Sequence, residues 1–167
     1  MAKIGIFYGS STGNTESAAG KIKAALGADA DDPKSIADVS ADDLSGYDVL
    51  VLGTSTWGAG DLQDDWEDAI DNLDDVDMSG KKVALFGLGD AEEYPDTFVD
   101  GIGTLAEKAK AQGGTIIGKV AASGYNYDES TAVDGDSFLG LPLDEDNEAE
   151  KTDGRIADWV AQIKGEM

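Results

Sequence analysis

Short apolar runs alternate with stretches of helical period along the whole chain. Residues 4–8 (IGIFY), 48–52 (DVLVL), 82–88 (KVALFGL), 115–120 (TIIGKV) and 138–143 (FLGLPL) are short and apolar, and each predicts a strand. Between them, Ala18/Ile22/Leu26, Leu62/Trp66/Ile70/Leu73, Phe98/Ile102/Leu105/Ala109 and Ile156/Trp159/Val160/Ile163 recur at three- and four-residue spacing. Each set predicts a helix that lays one apolar stripe on a sheet. Strands and helices alternating in this way form βαβ units, so the expected class is α/β, with a parallel sheet covered on both faces. One domain spanning residues 1–167 is enough to hold them. Two stretches fit less well. Residues 29–39 are polar and carry Pro33, which leaves room only for a short edge strand. Residues 121–137 are rich in Gly, Ser, Asp and Tyr without a period, which predicts a long loop interrupting the last strand region.

Charge narrows the partners. With 35 acidic against 12 basic residues the formal net charge is -23, which disfavours nucleic acid and anionic lipid and makes a basic protein the expected partner. There is no Cys and no His. Thiolate metal sites, iron–sulfur clusters, Cys nucleophiles and the usual imidazole base are therefore excluded, and no metal site is expected. Chemistry is left to carboxylates, hydroxyls, aromatics or a borrowed cofactor. MAKIGIFYGS at the N-terminus is not a signal peptide, and no run of about 18 apolar residues exists to span a membrane. A soluble, cytoplasmic protein is expected.

The first predicted strand runs directly into Ser10-Ser11-Thr12-Gly13-Asn14-Thr15, after which a helix begins. Strand, hydroxyl-rich turn and helix N-terminus together aim N–H and O–H donors and the positive end of a helix dipole at one point. A phosphate suits that point. A phosphoryl-transfer loop of the Walker type needs Lys after its second Gly, and here Asn14 stands there, so the turn is built to hold a phosphate rather than transfer it. The alternative is a plain capped βα turn.

Two further loops leave the same sheet edge, since ligands of such folds sit beyond the carboxyl ends of the strands. One is Thr54-Ser55-Thr56-Trp57-Gly58-Ala59-Gly60-Asp61, and the other is Gly87-Leu88-Gly89-Asp90 running on to Tyr94-Pro95-Asp96. Each sets an aromatic on a turn. Singly, Trp57 or Tyr94 reads as ordinary loop packing, but together and facing a phosphate site they suggest the walls of a slot for a flat ring.

The phosphate turn at 10–15, the Thr-x-Trp segment at 54–57, the Gly-x-Gly-Asp…Tyr-Pro-Asp segment at 87–96 and Leu-Gly-Leu-Pro-Leu-Asp-Glu-Asp-Asn at 139–147 resemble, in order and spacing, the landmarks of the flavodoxins. The likeness is to the long-chain group and covers essentially the whole chain. It implies a flavodoxin-like, doubly wound, five-stranded parallel sheet of order 2-1-3-4-5, with helices on both faces and a loop insertion in strand 5. It also implies one noncovalently held FMN. Carried over by position, Ser10, Ser11, Thr12, Gly13, Asn14 and Thr15 would hold the FMN phosphate, with Thr56 near the phosphate and ribityl chain. Trp57 and Tyr94 would sandwich the isoalloxazine. Backbone groups around Gly58, Ala59, Gly89 and Asp90 would meet its polar edge, and Asp146 resembles the family's acid near the ribityl chain. Ser55, Gly60, Leu88 and Thr97 belong to the same loops and complete the candidate cofactor contacts. Three positions depart from the commoner pattern: Thr97 where many relatives have Asn, Gly58 where many are bulkier, and Ser55 where Pro is frequent.

The function implied is that of a low-potential one-electron carrier, not an enzyme, shuttling between semiquinone and hydroquinone. A Gly58–Ala59 carbonyl turned toward N5 would favour the neutral semiquinone, and Gly58 can take the positive-φ place of a II′-like turn. Further negative charge on the ring is opposed in so acidic a protein. Acids such as Asp61, Asp64, Asp65, Glu67, Asp68, Glu92, Glu93 and Asp96 would steer basic redox proteins, a flavodoxin reductase and one or more electron acceptors, into transient electrostatic docking on a monomer. The alternative is an FMN-dependent quinone or NAD(P)H oxidoreductase of the same fold. A signalling receiver domain lacks its acids, since Gly9-Ser10 and Gly53-Thr54 occupy their places. A cofactor-free interaction module would stay colourless with added FMN.

Overall fold

The computed structural model describes residues 3–9, 14–27, 30–57, 61–62, 64–89, 92, 96–125, 127–144 and 147–166. In chain order its elements begin with β1 (Ile4–Tyr8), α1 (Asn14–Leu26), β2 (Lys34–Ser35), α2 (Ala41–Ser45), β3 (Val49–Trp57), β4 (Asp61–Leu62) and α3 (Asp64–Ala69), which tightens into a 3-10 turn at Ile70–Asp75. There follow β5 (Lys82–Leu88), α4 (Asp100–Ala111), β6 (Thr115–Ile117), β7 (Val120–Ala121), β8 (Val133–Asp134), β9 (Ser137–Phe138), β10 (Leu141–Leu143) and α5 (Thr152–Glu166).

The main sheet runs β2-β1-β3-β5-β10, all parallel, with β6 also on β5. This is the order 2-1-3-4-5 with its last strand in two pieces. β6 pairs with the start of β5 (Lys82↔Thr115 to Ala84↔Ile117) and β10 with its end (Phe86↔Leu141 to Leu88↔Leu143).

Side chains alternate strictly across this sheet, and both faces are apolar. Phe7, Leu50, Leu52, Val83 and Leu85 pack under Trp66, Leu73, Ile102 and Leu105 from α3, its 3-10 extension and α4. Ile4, Ile6, Val49, Val51, Ala84 and Phe86 pack under Ile22 of α1 and Ile156, Trp159 and Ile163 of α5. Each such buried side chain contributes roughly 1.5–3 kcal/mol relative to exposure. Among the described residues no helix is long and apolar enough to cross a membrane.

The pattern mispredicts four boundaries. The strand expected over 48–52 continues to Trp57, because residues 53–55 pair with Phe86, Gly87 and Leu88 although they are small and polar. Leu62 belongs to β4, paired with Thr56, and the helix starts only at Asp64. The strand expected over 115–120 stops at Ile117, where Gly118 turns to φ +77; a Cβ there would lie 2.6 Å from the Trp159 indole nitrogen, whose N–H donates to the Gly118 carbonyl at 2.8 Å. The strand expected over 138–143 is likewise cut in two. Phe138 joins β9 in a separate antiparallel sheet, β7-β9-β8, so the stretch 121–137 is folded and not merely a loop. The polar edge strand expected within 29–39 is the two-residue β2, preceded by one bridge from Ile4 to Ala30.

Candidate functional site

β1, β3, β5 and β10 all end at one edge, and hydrogen bonds draw those ends together. The Gly9 N–H donates to the Gly53 carbonyl at 3.0 Å, and the Gly89 N–H donates to the Leu143 carbonyl at 3.0 Å. Gly53 O takes a second donor, the buried Trp66 indole N–H at 2.7 Å. Only glycine fits position 53, since a Cβ would come within 2.0 Å of the Phe86 ring.

The chain after β1 returns at Asn14, the first residue of α1. Thr15 is buried in its first turn, which carries Glu16 and no Lys or Arg. A helix start leaves its first N–H groups without intrahelical partners. Amide donors at a helix start whose described first turn holds no Lys or Arg suit a phosphate ester held in place, so this corner fits the phosphate of a flavin nucleotide. Tyr8, at the end of β1, has its phenol pushed up from its ordinary pKa by burial and then by the Glu16 carboxylate, which also hydrogen-bonds it.

The second loop leaves a strand that bends back on itself. Thr56 pairs antiparallel with Leu62 and Trp57 with Asp61, which makes β3 and β4 a hairpin. Thr54 is buried at the base of that hairpin.

The third loop leaves β5 from buried Leu88 and half-buried Gly89. It comes back through exposed Asp96, half-buried Thr97 and buried Phe98 and Val99 to reach α4.

Beyond β10 the chain turns on Asp144, which is fully buried. Its carboxylate accepts the Asn147 backbone N–H at 3.0 Å and the Asn147 side-chain amide at 2.9 Å, while its carbonyl accepts the Glu148 N–H at 2.8 Å. The sequence reading singled out Asp146 and missed Asp144; the signal was the Asp-x-x-Asn spacing of a side-chain-stabilised turn. Glu148 follows, bonded by Lys151 at 2.6 Å and Arg155 at 3.0 Å. The Lys151 hydrogen bond is the main reason its carboxyl lies below the ordinary range; burial opposes this and Arg155 adds to it.

Of the candidate contacts, Thr15, Leu88, Gly89 and Thr97 lie at this edge, as does the backbone of Asn14, Ser55, Thr56 and Trp57. Ser10, Ser11, Thr12, Gly13, Gly58, Ala59, Gly60, Asp90, Tyr94 and Asp146 fall outside the described residues. The opposite edge carries Lys3, Lys81 and Lys82 at the strand starts, with Lys108 and Lys110 at the end of α4. On the site side, Lys151 and Arg155 are tied to Glu148, while Glu92 and Asp96 are exposed.

A family model described as Flavodoxin matches residues 6–159. A flavodoxin of Synechocystis sp. is 47% identical over 98% of this chain and 97% of its own length. Flavodoxin 1 of Escherichia coli is 45% identical over 100% and 96%. Among solved structures, the Fusobacterium nucleatum flavodoxin bound to flavin mononucleotide superposes with a TM-score of 0.95 at 31% identity, covering 100% of this chain and 99% of that one. Oxidised Flavodoxin 2 from Bacillus cereus superposes at 0.76 with 28% identity, covering 99% and 100%.

Proposed function

The chain belongs to the flavodoxin family, and from that membership we propose that residues 1–167 act as one FMN-binding domain that carries electrons singly between other proteins. FMN, when bound, supplies a ring that can exchange electrons one at a time. The observation that carries the reading is the meeting, at one sheet edge, of a helix N-terminus whose described first turn holds no Lys or Arg with the ends of β1, β3 and β5.

In this reading Ser10 to Thr15 bind the phosphate through N–H and O–H donors, and Thr56 and Asp146 orient the ribityl chain. Trp57 and Tyr94 cover the two faces of the ring and exclude water from it. The Gly58–Ala59 carbonyl holds a proton at N5, while the backbone from Leu88 to Asp90, with Ser55, Gly60 and Thr97 beside it, meets the polar edge. The net charge of -23 opposes further negative charge on the ring. Each roughly 1.4 kcal/mol of that opposition shifts the second one-electron equilibrium tenfold toward the oxidised side.

Electron transfer needs only an exposed ring edge and a brief encounter. The acids of the site edge, with most strand-start lysines on the far edge, orient a basic reductase or acceptor toward a monomeric, cytoplasmic carrier. Stepwise anaerobic reduction of the FMN-loaded protein, followed in the visible, tests this. Long-wavelength absorbance that rises and then falls is expected, and a direct passage to the two-electron state overturns the one-electron reading. Steady oxidation of NAD(P)H by the protein alone would show the oxidoreductase alternative instead.

A further inference from the structure

The segment between β6 and β10 touches the third loop where the backbone is strained. Val99 has φ 48° and ψ 32°, the left-handed region, which a β-branched residue adopts only against steric resistance. It is fully buried, immediately precedes α4, and that helix start has no side-chain cap of its own. Groups far along the chain flank it on both sides. The Ser130 hydroxyl donates to the Phe98 carbonyl at 2.5 Å. The Thr131 N–H donates to the Asp100 carboxylate at 2.8 Å, and its hydroxyl reaches the Asp100 carbonyl at 3.4 Å.

Ser130 is itself anchored. Its oxygen accepts the Ala132 N–H at 3.1 Å, and the Ala132 carbonyl accepts the Leu139 N–H at 2.7 Å. Phe98 stands in a ring cluster with Tyr125, Tyr127 and Phe138, at centroid distances of 6.0, 6.0 and 5.9 Å. The approach of Thr131 also explains a glycine inside α4, because a Cβ at Gly103 would lie 2.6 Å from the Thr131 carbonyl oxygen. On its other side Val99 lies against Gly89, where a Cβ would come within 3.1 Å of Val99 N and Cγ1. Gly89 is the first residue beyond β5.

We propose that residues 118–140 position the third loop: Ser130 and Thr131 hold Val99 in its left-handed conformation, and Val99 sets where the chain leaves β5 at Gly89. The proposal rests on reading that loop as one wall of the flavin site. Without these donors the backbone at 99 relaxes toward a commoner region and draws away from Gly89. The Gly89 backbone is then held less firmly beside the ring. Ser130 and Thr131 are positioning residues that act through Val99.

Three variants test it, each with and without FMN. Ser130→Ala removes the hydroxyl and Ser130→Thr keeps one. Gly103→Ala leaves both donors but drives a methyl into Thr131, while raising the intrinsic helix propensity of α4. In the FMN-free protein, amide exchange at residues 89 and 99–102 should quicken on the order of tenfold in Ser130→Ala and Gly103→Ala, the effect of losing about one hydrogen bond. It should return toward normal in Ser130→Thr and stay unchanged at Gly9. The FMN dissociation constant should rise by a similar factor in the same two variants. Unchanged exchange at 89 and 99–102 in Ser130→Ala overturns the proposal, as does quickened exchange with unaltered FMN binding. A Gly103→Ala protein with slower exchange, as helix propensity alone demands, overturns it too. If the unaltered protein takes up no FMN, the flavin reading itself fails, and exchange alone then decides whether Ser130 and Thr131 hold Val99.

Discussion

The second and third loops leave neighbouring strands and are secured in opposite ways. At the end of β3, apart from the Gly9 N–H that Gly53 O also accepts, the partners beyond the sheet are local: Thr56 and Trp57 pair with Leu62 and Asp61, and the Trp66 indole reaches back 13 residues to Gly53 O. At the end of β5 they are remote. Gly89 is bonded to Leu143, and Phe98 and Asp100 to Ser130 and Thr131, 32 and 31 residues on. A short closure forms at little entropic cost and holds its turn whatever the rest of the chain does. A long one makes the third loop depend on the folding of β7 to β10. Substitutions within residues 118–140 should therefore reach the third loop and leave the hairpin alone.

The sharpest way to break the local side is Trp66. Trp66→Ala removes a fully buried ring and the donor to Gly53 O together, and a loss of about 3–5 kcal/mol in urea unfolding is expected. Trp66→Phe keeps most of the packing, and about 1–3 kcal/mol should separate it from the unaltered protein. A Trp66→Ala protein of ordinary stability would mean that β3 is not anchored through Gly53.

A smaller effect probes the remote side. The Tyr125 phenol donates to the Pro142 carbonyl at 2.8 Å and lies under Arg155, 4.2 Å from its ring centroid. Burial pushes its pKa from 10.0 up to about 12, against the pull of Arg155. A raised phenol stabilises the fold fully below the unfolded value and loses that stabilisation as pH rises from 10.0 through about 12. Tyr125→Phe should cost about 1 kcal/mol at neutral pH, and the gap to the unaltered protein should close across that alkaline window. A gap that ignores pH would show that the phenol contributes only its ring.

The smallest expected change concerns Glu148. Its carboxyl is lowered, so its contribution is present above the ordinary carboxylate value and disappears as pH falls through the folded one. Glu148→Gln should lose up to about 1 kcal/mol at neutral pH and nothing in acid below both values, as thermal unfolding across pH would show.

Much of the architecture was legible from period alone. The apolar runs at 4–8 and 82–88 became β1 and β5 at those residues, and Ala18, Ile22 and Leu26 are buried on α1 as their spacing demands. The interruption of the last strand was legible too, as a stretch without period. Inside that stretch the pattern was silent, since β7, β8 and β9 are two residues each and too short to show alternation. At the site, the expectation for residues 10–15 rests on the local chemistry of a helix start, and the structure describes only Asn14 and Thr15 of them. Asp144 was overlooked because three acids stand within 144–146, and the burial that marks Asp144 is not written in the local sequence.

The sequence by itself determined a sheet apolar on both faces and its helices, because periods of two and 3.6 are written in adjacent residues. Only the tertiary structure decided that β6 and β10 share one edge of β5, that Gly103 is bare to admit Thr131, and that Val99 keeps a conformation its side chain resists. Such contacts join residues some thirty or more positions apart, and what sets them is which surfaces the folded sheet brings together, which no local period encodes.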